Sequence, residues 1–433
     1  MLTGELDDWN DVVDAGMTAA TPHSSTHVVN DIVFTGAAEE KMHMPAIDDK
    51  ALDGEKPDVL VIGGGISGCS GARELSRYKL SVLLIDKEAD LALGASGRND
   101  GEVHPGVDLS KGSLKHKYIR RANHMYEDLC RELDVPFKRT GQYACFTHKS
   151  WLPFVSLYAK WRRDHDGIED TCIVMGDEIR KKEPKISADV AFALSNPSSG
   201  SVSPYNLVIA YAENAVQNGA RVSLNTAVTG MDVSGGEIKA VYTNRGTIYP
   251  REVINCAGVY SDVVAQMAQD RFFSIHPRRG TNSILDKKTG ASFHGIASIV
   301  MSQSPVQTHT KGGGILHTMH DNLLIGPDAV ETPERENTAT NAESIARVFT
   351  KQRITMPTLT EKDIITYFTG VRAPTYEEDF IIEPGRKTKN IYHVAGIQSP
   401  GLTTAPAVAQ DVAEYVAKLF NAEKKADFDP VRK

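Results

Sequence analysis

Residues Asp58 to Asp86, DVLVIGGGISGCSGARELSRYKLSVLLID, restrict the fold of this chain more than any other stretch. Asp58 to Ile62 is a short β-branched apolar run, the pattern of a strand buried on both faces of a parallel sheet. Gly63, Gly65 and Gly68 follow at the G-x-G-x-x-G spacing. The first glycine of that spacing makes the sharp turn, the second admits a pyrophosphate close to the backbone, and the third lets the next helix pack on the strand. The helix that starts there offers free N–H groups and the positive end of its dipole to a phosphate. Asp86 closes a second strand, Ser81 to Ile85, eighteen positions after Gly68, near the separation of about 20 at which a carboxylate accepts from a ribose hydroxyl. Together these features predict a dinucleotide-binding βαβ unit, and the acid favours FAD or NAD over NADP.

The 433 residues exceed one ordinary domain and suit two. No apolar run reaches the roughly 18 residues that cross a bilayer, so no transmembrane segment is expected. The five cysteines are odd in number and include no C-x-x-C pair. That usage points to a reducing, cytoplasmic setting without disulfides, zinc or ordinary iron–sulfur ligation. Residues 1–56 hold no arginine and carry −9, against −8 for the whole chain, which leaves the body near neutral. Such a start does not suit a mitochondrial or secretory leader, and a neutral body lacks the basic face that nucleic acid requires. Peripheral contact with a membrane surface is compatible with this composition.

Residues 1–56 read as an acidic, flexible N-terminal extension with short apolar clusters at Val12–Val13 and Ile32–Phe34. His23, His27 and His43 read as solvated within it, since none has a metal-ligand spacing. Periodicity predicts helices over 114–134, 151–164, 177–183, 207–218, 341–353 and 407–419, and Trp151 and Trp161 read as packing. Strands are expected over 141–147, 220–224, 252–255, 364–368, 380–383 and 391–395, with a hairpin at Asn244–Arg245–Gly246. Short apolar runs between turns over 278–326 indicate an antiparallel sheet. The break at Cys256-Ala257-Gly258 reads either as a second close approach of backbone to ligand or as an ordinary strand-to-helix turn. A last strand, Gly396 and the loop IQSPGLTTAP again aim a helix N-terminus at a polar ligand.

The ordered set DVLVIGGGISG with Asp86, SGRNDGEVHPG, NCAGVYSD, RRG at 278–280, HTKGGG, LLIGPDA, GVRAP with EEDFIIEP, and AGIQSPGLTTAP resembles a known family. It is similar to the FAD-dependent glycerol-3-phosphate oxidases and dehydrogenases, within the D-amino-acid-oxidase-like flavoproteins. The resemblance spans roughly residues 57–420 and implies an α/β protein. A doubly wound, Rossmann-like FAD-binding domain would come from 57–140, 185–275 and 360–420. A substrate domain on a mixed or antiparallel sheet would come from 141–184 and 276–359, with a polar tail at 421–433.

By position, the resemblance assigns Gly63, Gly65, Gly68 and Asp86 to the pyrophosphate and ribose, and Ser96, Asn99 and Gly101 to the loop beside the isoalloxazine. Val228 falls at the adenine, Ala257 and Gly258 at the second nucleotide contact, and Gly396, Gly401, Leu402 and Thr403 at the flavin pyrimidine edge. His104 matches the catalytic base, and Lys311, Arg372 and Ser399 match positions lining the substrate pocket. The implied reaction takes glycerol 3-phosphate to dihydroxyacetone phosphate, with oxygen or a carrier as the final electron acceptor. An L-2-hydroxyglutarate-type hydroxy-acid dehydrogenase is the alternative, and an amino-acid oxidase a more distant one.

The chemistry of the residues agrees with these roles. Histidine titrates in the range a base for a hydroxyl proton needs, and an arginine fork with a lysine point charge suits a phosphate dianion. Each position also has a plainer reading: His104 as a structural histidine, Lys311 as a solvated turn residue, Ser399 as a shaper of the loop before Pro400. Arg372 ends an apolar run, where a charge without a partner is costly. Departures from the family pattern fall at Asp100, at Thr281-Asn282 and at Asp328.

Overall fold

Strand Val59–Ile62 lies inside a six-stranded sheet in the order Arg221–Ser223, Val82–Ile85, Val59–Ile62, Glu252–Asn255, Ile391–Ala395, Ile381–Pro384. All neighbours run parallel except the edge strand Ile381–Pro384. The unbroken apolar run at 59–62 is explained by its two covered faces. Val59 and Val61 pack into a core with the helices Ile66–Leu75, Leu114–Glu132, Pro204–Gln217 and Gly401–Phe420. Leu60 and Ile62 point the other way, into a core shared with Val228, Ile238, Val241 and Ile248 of a three-stranded antiparallel sheet. The structure is a computed structural model that describes residues 1–21, 27–38, 41–168, 170–291, 293–299 and 313–433. His23 and Lys311 lie outside the described residues.

A second, mixed sheet of nine strands among the described residues stands over the carboxyl ends of the first. Its order is Val330–Glu331, Arg278–Leu285, Leu323–Gly326, Gly314–His317, Ile296–Ile299, Gln142–Phe146, Phe192–Asn196, Cys172–Met175, and Ile364–Arg372 also pairs with Arg278–Leu285. Among the described residues only Ile296–Ile299 and Gln142–Phe146 pair in parallel within it. Two of these strands fall in pieces that the sequence groups with the nucleotide-binding half. Phe192–Asn196 and Ile364–Arg372 are instead strands of the large sheet, the latter in register from Arg278↔Arg372 to Ile284↔Thr366, with a shift before Leu285↔Ile364. Pairing between residues so far apart leaves no local pattern.

The N-terminal stretch, expected as a flexible extension, carries regular structure among its described residues. Strands Leu2–Leu6 and Asn30–Phe34 pair in parallel beside helix Trp9–Ala20. Val12 and Val13 are buried there, and a Cβ at Gly16 would lie 2.2 Å from the ring of Tyr376. The Val28 amide donates to Glu377, the Asn30 amide to Ser274 Oγ at 3.0 Å, and Arg271 pairs with Asp31 at 2.7 Å. His27 is half-buried beside Glu377 and Glu383 rather than solvated. Val13 and Val28 form a small buried cluster with Tyr376, whereas Ile32–Phe34 stays partly exposed. The C-terminal residues dock too: Pro430 O accepts from Arg73 at 3.1 Å, and the Phe428 ring lies 4.3 Å from the Arg77 guanidinium.

The last helix begins at Gly401, six residues before the expected start, with Pro406 inside it. Proline has no N–H for the carbonyl four residues back, and Tyr126 Oη donates to that carbonyl, Leu402 O, at 2.5 Å. No helix among the described residues is long and apolar enough to cross a membrane.

Candidate functional site

The two sheets enclose a cavity of about 1600 Å³, larger than the few hundred to about 1,000 Å³ typical of a single drug-sized ligand. One end is walled by Asp86, Lys87, Thr226 and Val228, the middle by Gly63, Gly65, Ile66, Ser67, Ala257 and Gly258, and the far end by Ser96, Asn99, His104, Arg372, Ser399, Gly401 and Leu402. The middle is a cradle closed to side chains. Gly63 has φ +112°, and a Cβ there would meet Cys256 O at 2.3 Å; one at Gly65 would meet Ser96 Oγ at 2.8 Å. The helix N-terminus at Gly65–Ile66 opens into this cradle, and Ser96 Oγ accepts the Ile66 amide at 2.9 Å. Asp86 accepts from the amides of Gly64 and Glu88, which ties the glycine turn to the second strand. Burial pushes the Asp86 carboxyl up, and those two amides draw it back. A long cleft with a pyrophosphate cradle at mid-length and a carboxylate at one end fits FAD.

Four expected positions stand behind this wall rather than in it. Gly68 lies beneath the turn, where a Cβ would meet Gly63 O at 1.8 Å, and Gly101 faces Val202 O. Gly396 faces Asp379 O. Thr403 is fully buried, its hydroxyl accepting the His104 amide at 3.0 Å and facing Glu102 O at 3.3 Å. These residues shape the backbone that the wall rests on. Asn99 braces its own loop, donating to Ser96 O at 2.7 Å and accepting from the Gly101 amide at 2.9 Å.

His104 is pinned on several sides. Asn123 donates to its carbonyl at 2.9 Å, Nε2 lies 3.2 Å from Ser399 Oγ, and Nδ1 lies 3.4 Å from Glu102 Oε1. Glu102 in turn accepts from Gln142 at 2.7 Å and from Ser199 at 3.2 Å. Burial pushes the Glu102 carboxyl up, and His104 draws it down. Arg372 ends its strand with its guanidinium over Gly280, where a Cβ would lie 2.1 Å away, and donates to Asp328 O at 2.9 Å. Burial lowers the Arg372 pKa, as does the neighbouring Arg278. Arg278 is itself buried and held by Glu331 and by Glu378, the latter at 2.6 Å.

Glu102, Gln142 and Arg278 are contributors that sequence reasoning missed, although Glu102 stands two residues before His104, the spacing that shares a strand face. Asn282, at a departure from the family pattern, lines the cavity with Oδ1 buried and without a partner among the described residues.

A parallel nucleotide sheet under a mixed sheet, with the cradle between them, defines a two-domain flavin oxidoreductase. Residues 58–415 match the FAD dependent oxidoreductase family, and the chain belongs to it. A glycerol 3-phosphate dehydrogenase of Caloramator mitchellensis is 36% identical over 380 residues, covering 87% of this chain and 77% of that protein. An L-2-hydroxyglutarate dehydrogenase of Indibacter alkaliphilus is 28% identical over 406 residues, covering 84% of this chain and 99% of that one. The solved structure of L-alpha-glycerophosphate oxidase from Mycoplasma pneumoniae, with FAD bound, has a TM-score of 0.80 at 26% identity, covering 87% of this chain and 98% of that chain. The protein is thus an FAD-dependent oxidoreductase similar to glycerol-3-phosphate dehydrogenases and oxidases.

Proposed function

We propose that the protein oxidises the secondary alcohol of glycerol 3-phosphate, giving dihydroxyacetone phosphate. The observation that carries this reading is the approach of His104 Nε2 to Ser399 Oγ, at 3.2 Å, in a cavity that Arg372 also lines; the 36% identity to a glycerol 3-phosphate dehydrogenase supports the choice of substrate. Bound FAD supplies the acceptor for the two electrons that leave the carbinol carbon as hydride. His104 Nε2 takes the hydroxyl proton, Ser399 Oγ orients the hydroxyl, and Arg372 holds the anionic end of the substrate through charge-assisted hydrogen bonds. Gly63, Gly65, Asp86, Ser96, Asn99, Val228, Ala257, Gly258, Gly401 and Leu402 would hold the cofactor along the cavity, and Lys311 would add a second positive partner for the phosphate.

The electrons pass on to oxygen or to a carrier. All five cysteines are free, which supports a reducing, cytoplasmic setting.

A 2-hydroxy acid is the second reading, favoured by Arg372, which suits a carboxylate as well as a phosphate, and by the L-2-hydroxyglutarate dehydrogenase relative. Anaerobic mixing of the holoenzyme with each compound decides between them. Bleaching of the flavin absorbance by glycerol 3-phosphate supports the first reading. Bleaching by L-2-hydroxyglutarate alone replaces it with the second, and no bleaching by either overturns both.

A further inference from the structure

We propose that Glu102 is a positioning residue for the base, holding the Nδ1 edge of His104 so that Nε2 alone is presented to substrate. The inference rests on the reading of His104 as the base and goes beyond it by assigning a role to a side chain that faces the imidazole from behind. Glu102 and His104 flank Val103, so a short extended segment, Glu102–Val103, sends both side chains to one side. Glu102 Oε1 lies 3.4 Å from Nδ1, while Nε2 lies 3.2 Å from Ser399 Oγ at the cavity.

The carboxylate does not stand there by accident of packing. Glu102 is 8% exposed, and Gln142 Nε2 and Ser199 Oγ both donate to the same oxygen that faces the imidazole. The backbone between the two residues is fastened as well. Thr403 Oγ1 lies 3.3 Å from Glu102 O and accepts the His104 amide, and Asn123 holds the His104 carbonyl. A carboxylate beside Nδ1 keeps the proton on that nitrogen and leaves the Nε2 lone pair free to take one. It also stabilises the imidazolium that forms once the hydroxyl proton arrives. The other acids that bear on Glu102 are Asp100 and Asp108.

The test is the pH dependence of anaerobic flavin reduction by substrate in the holoenzyme, for wild type, Glu102→Gln and Glu102→Asp. Removing the charge is expected to lower the plateau rate roughly 10- to 100-fold, by analogy with the loss of a carboxylate partner behind a metal-ligating histidine. The pH of half-maximal rate should fall by about one unit, because imidazolium loses its counter-charge. Glu102→Asp keeps the charge at a greater distance, so its midpoint should stay near wild type while its plateau falls. A purely structural role would move the two variants alike. Coincident pH midpoints for wild type, Gln and Asp overturn the proposal, as does a Gln variant with an unchanged plateau. His104→Asn separates this inference from the reading beneath it: if that variant reduces flavin at the wild-type rate, His104 is not the base and the reading itself fails. If His104→Asn is inactive while Glu102→Gln is indistinguishable from wild type, only the present inference fails.

Discussion

Replacing Glu252 with glutamine should make the protein more stable at alkaline pH while leaving its stability at low pH nearly unchanged. Glu252 opens the strand Glu252–Asn255 beside the central strand, is 1% exposed, and neither of its carboxyl oxygens has a hydrogen-bond partner among the described residues. Burial pushes its pKa from 4.5 to about 8. The sign follows from proton binding. Above pH 4.5 the unfolded chain releases this proton while the folded chain keeps it until about 8. Stability therefore declines through that window and levels off above it. At about 1.4 kcal/mol per pH unit, ~3.5 units give a ceiling of about 5 kcal/mol, of which roughly 2–3 kcal/mol should fall between pH 6 and 9. Glutamine has the shape of the protonated acid and does not titrate, so the variant lacks this loss. Denaturant titrations of both FAD-loaded proteins at pH 6 and 9 measure it. A pH-dependent loss equal in the two proteins to within about 0.5 kcal/mol would refute the reasoning.

Four further outcomes follow from the structure. Gly63→Ala places a Cβ 2.3 Å from Cys256 O at φ +112°, so the protein should purify colourless and take up no FAD, read by its visible spectrum, with a stability loss of about 1–3 kcal/mol. Arg372→Lys replaces a planar fork with a point charge and should cost roughly 10- to 100-fold in kcat/KM for an anionic substrate, measured by steady-state kinetics. Tyr126→Phe removes the donor from the Leu402 carbonyl that Pro406 leaves without an amide, and should lower unfolding free energy by about 1–3 kcal/mol. Gly16→Ala drives a methyl into the Tyr376 ring; chymotrypsin should then cut faster at Trp9 and Phe34 while the flavin spectrum stays unchanged.

Much of the nucleotide half was legible because its signals are local. The run at 59–62, the glycines at 63, 65 and 68 and the acid at 86 all lie within one strand–turn–helix–strand unit, and steric and hydrogen-bonding demands at each position act on near neighbours. The strand at 252–255 and the one at 391–395 were legible for the same reason. The start of the last helix was misplaced because Pro406 normally marks a helix N-terminus, and only Tyr126, 280 positions away, makes an interior proline tolerable. The N-terminal arm was read as loose because its buried residues are few and their partners, Tyr376, Glu377 and Ser274, lie hundreds of residues later.

By itself the sequence determined the strand, glycine turn, helix and strand of the nucleotide-binding unit, since a Cβ at Gly63 or Gly68 would strike the protein's own backbone. Which distant residues gather around His104 and Arg372 was decided by tertiary structure. Gln142 against Glu102, Arg278 beside Arg372, and Ser399 facing His104 Nε2 depend on strand register and on how distant segments close over one another. The difference is one of range: excluded volume and backbone geometry act between neighbours and leave a pattern in the chain, whereas charge pairing in a buried site depends on which distant strands are brought within a few ångströms.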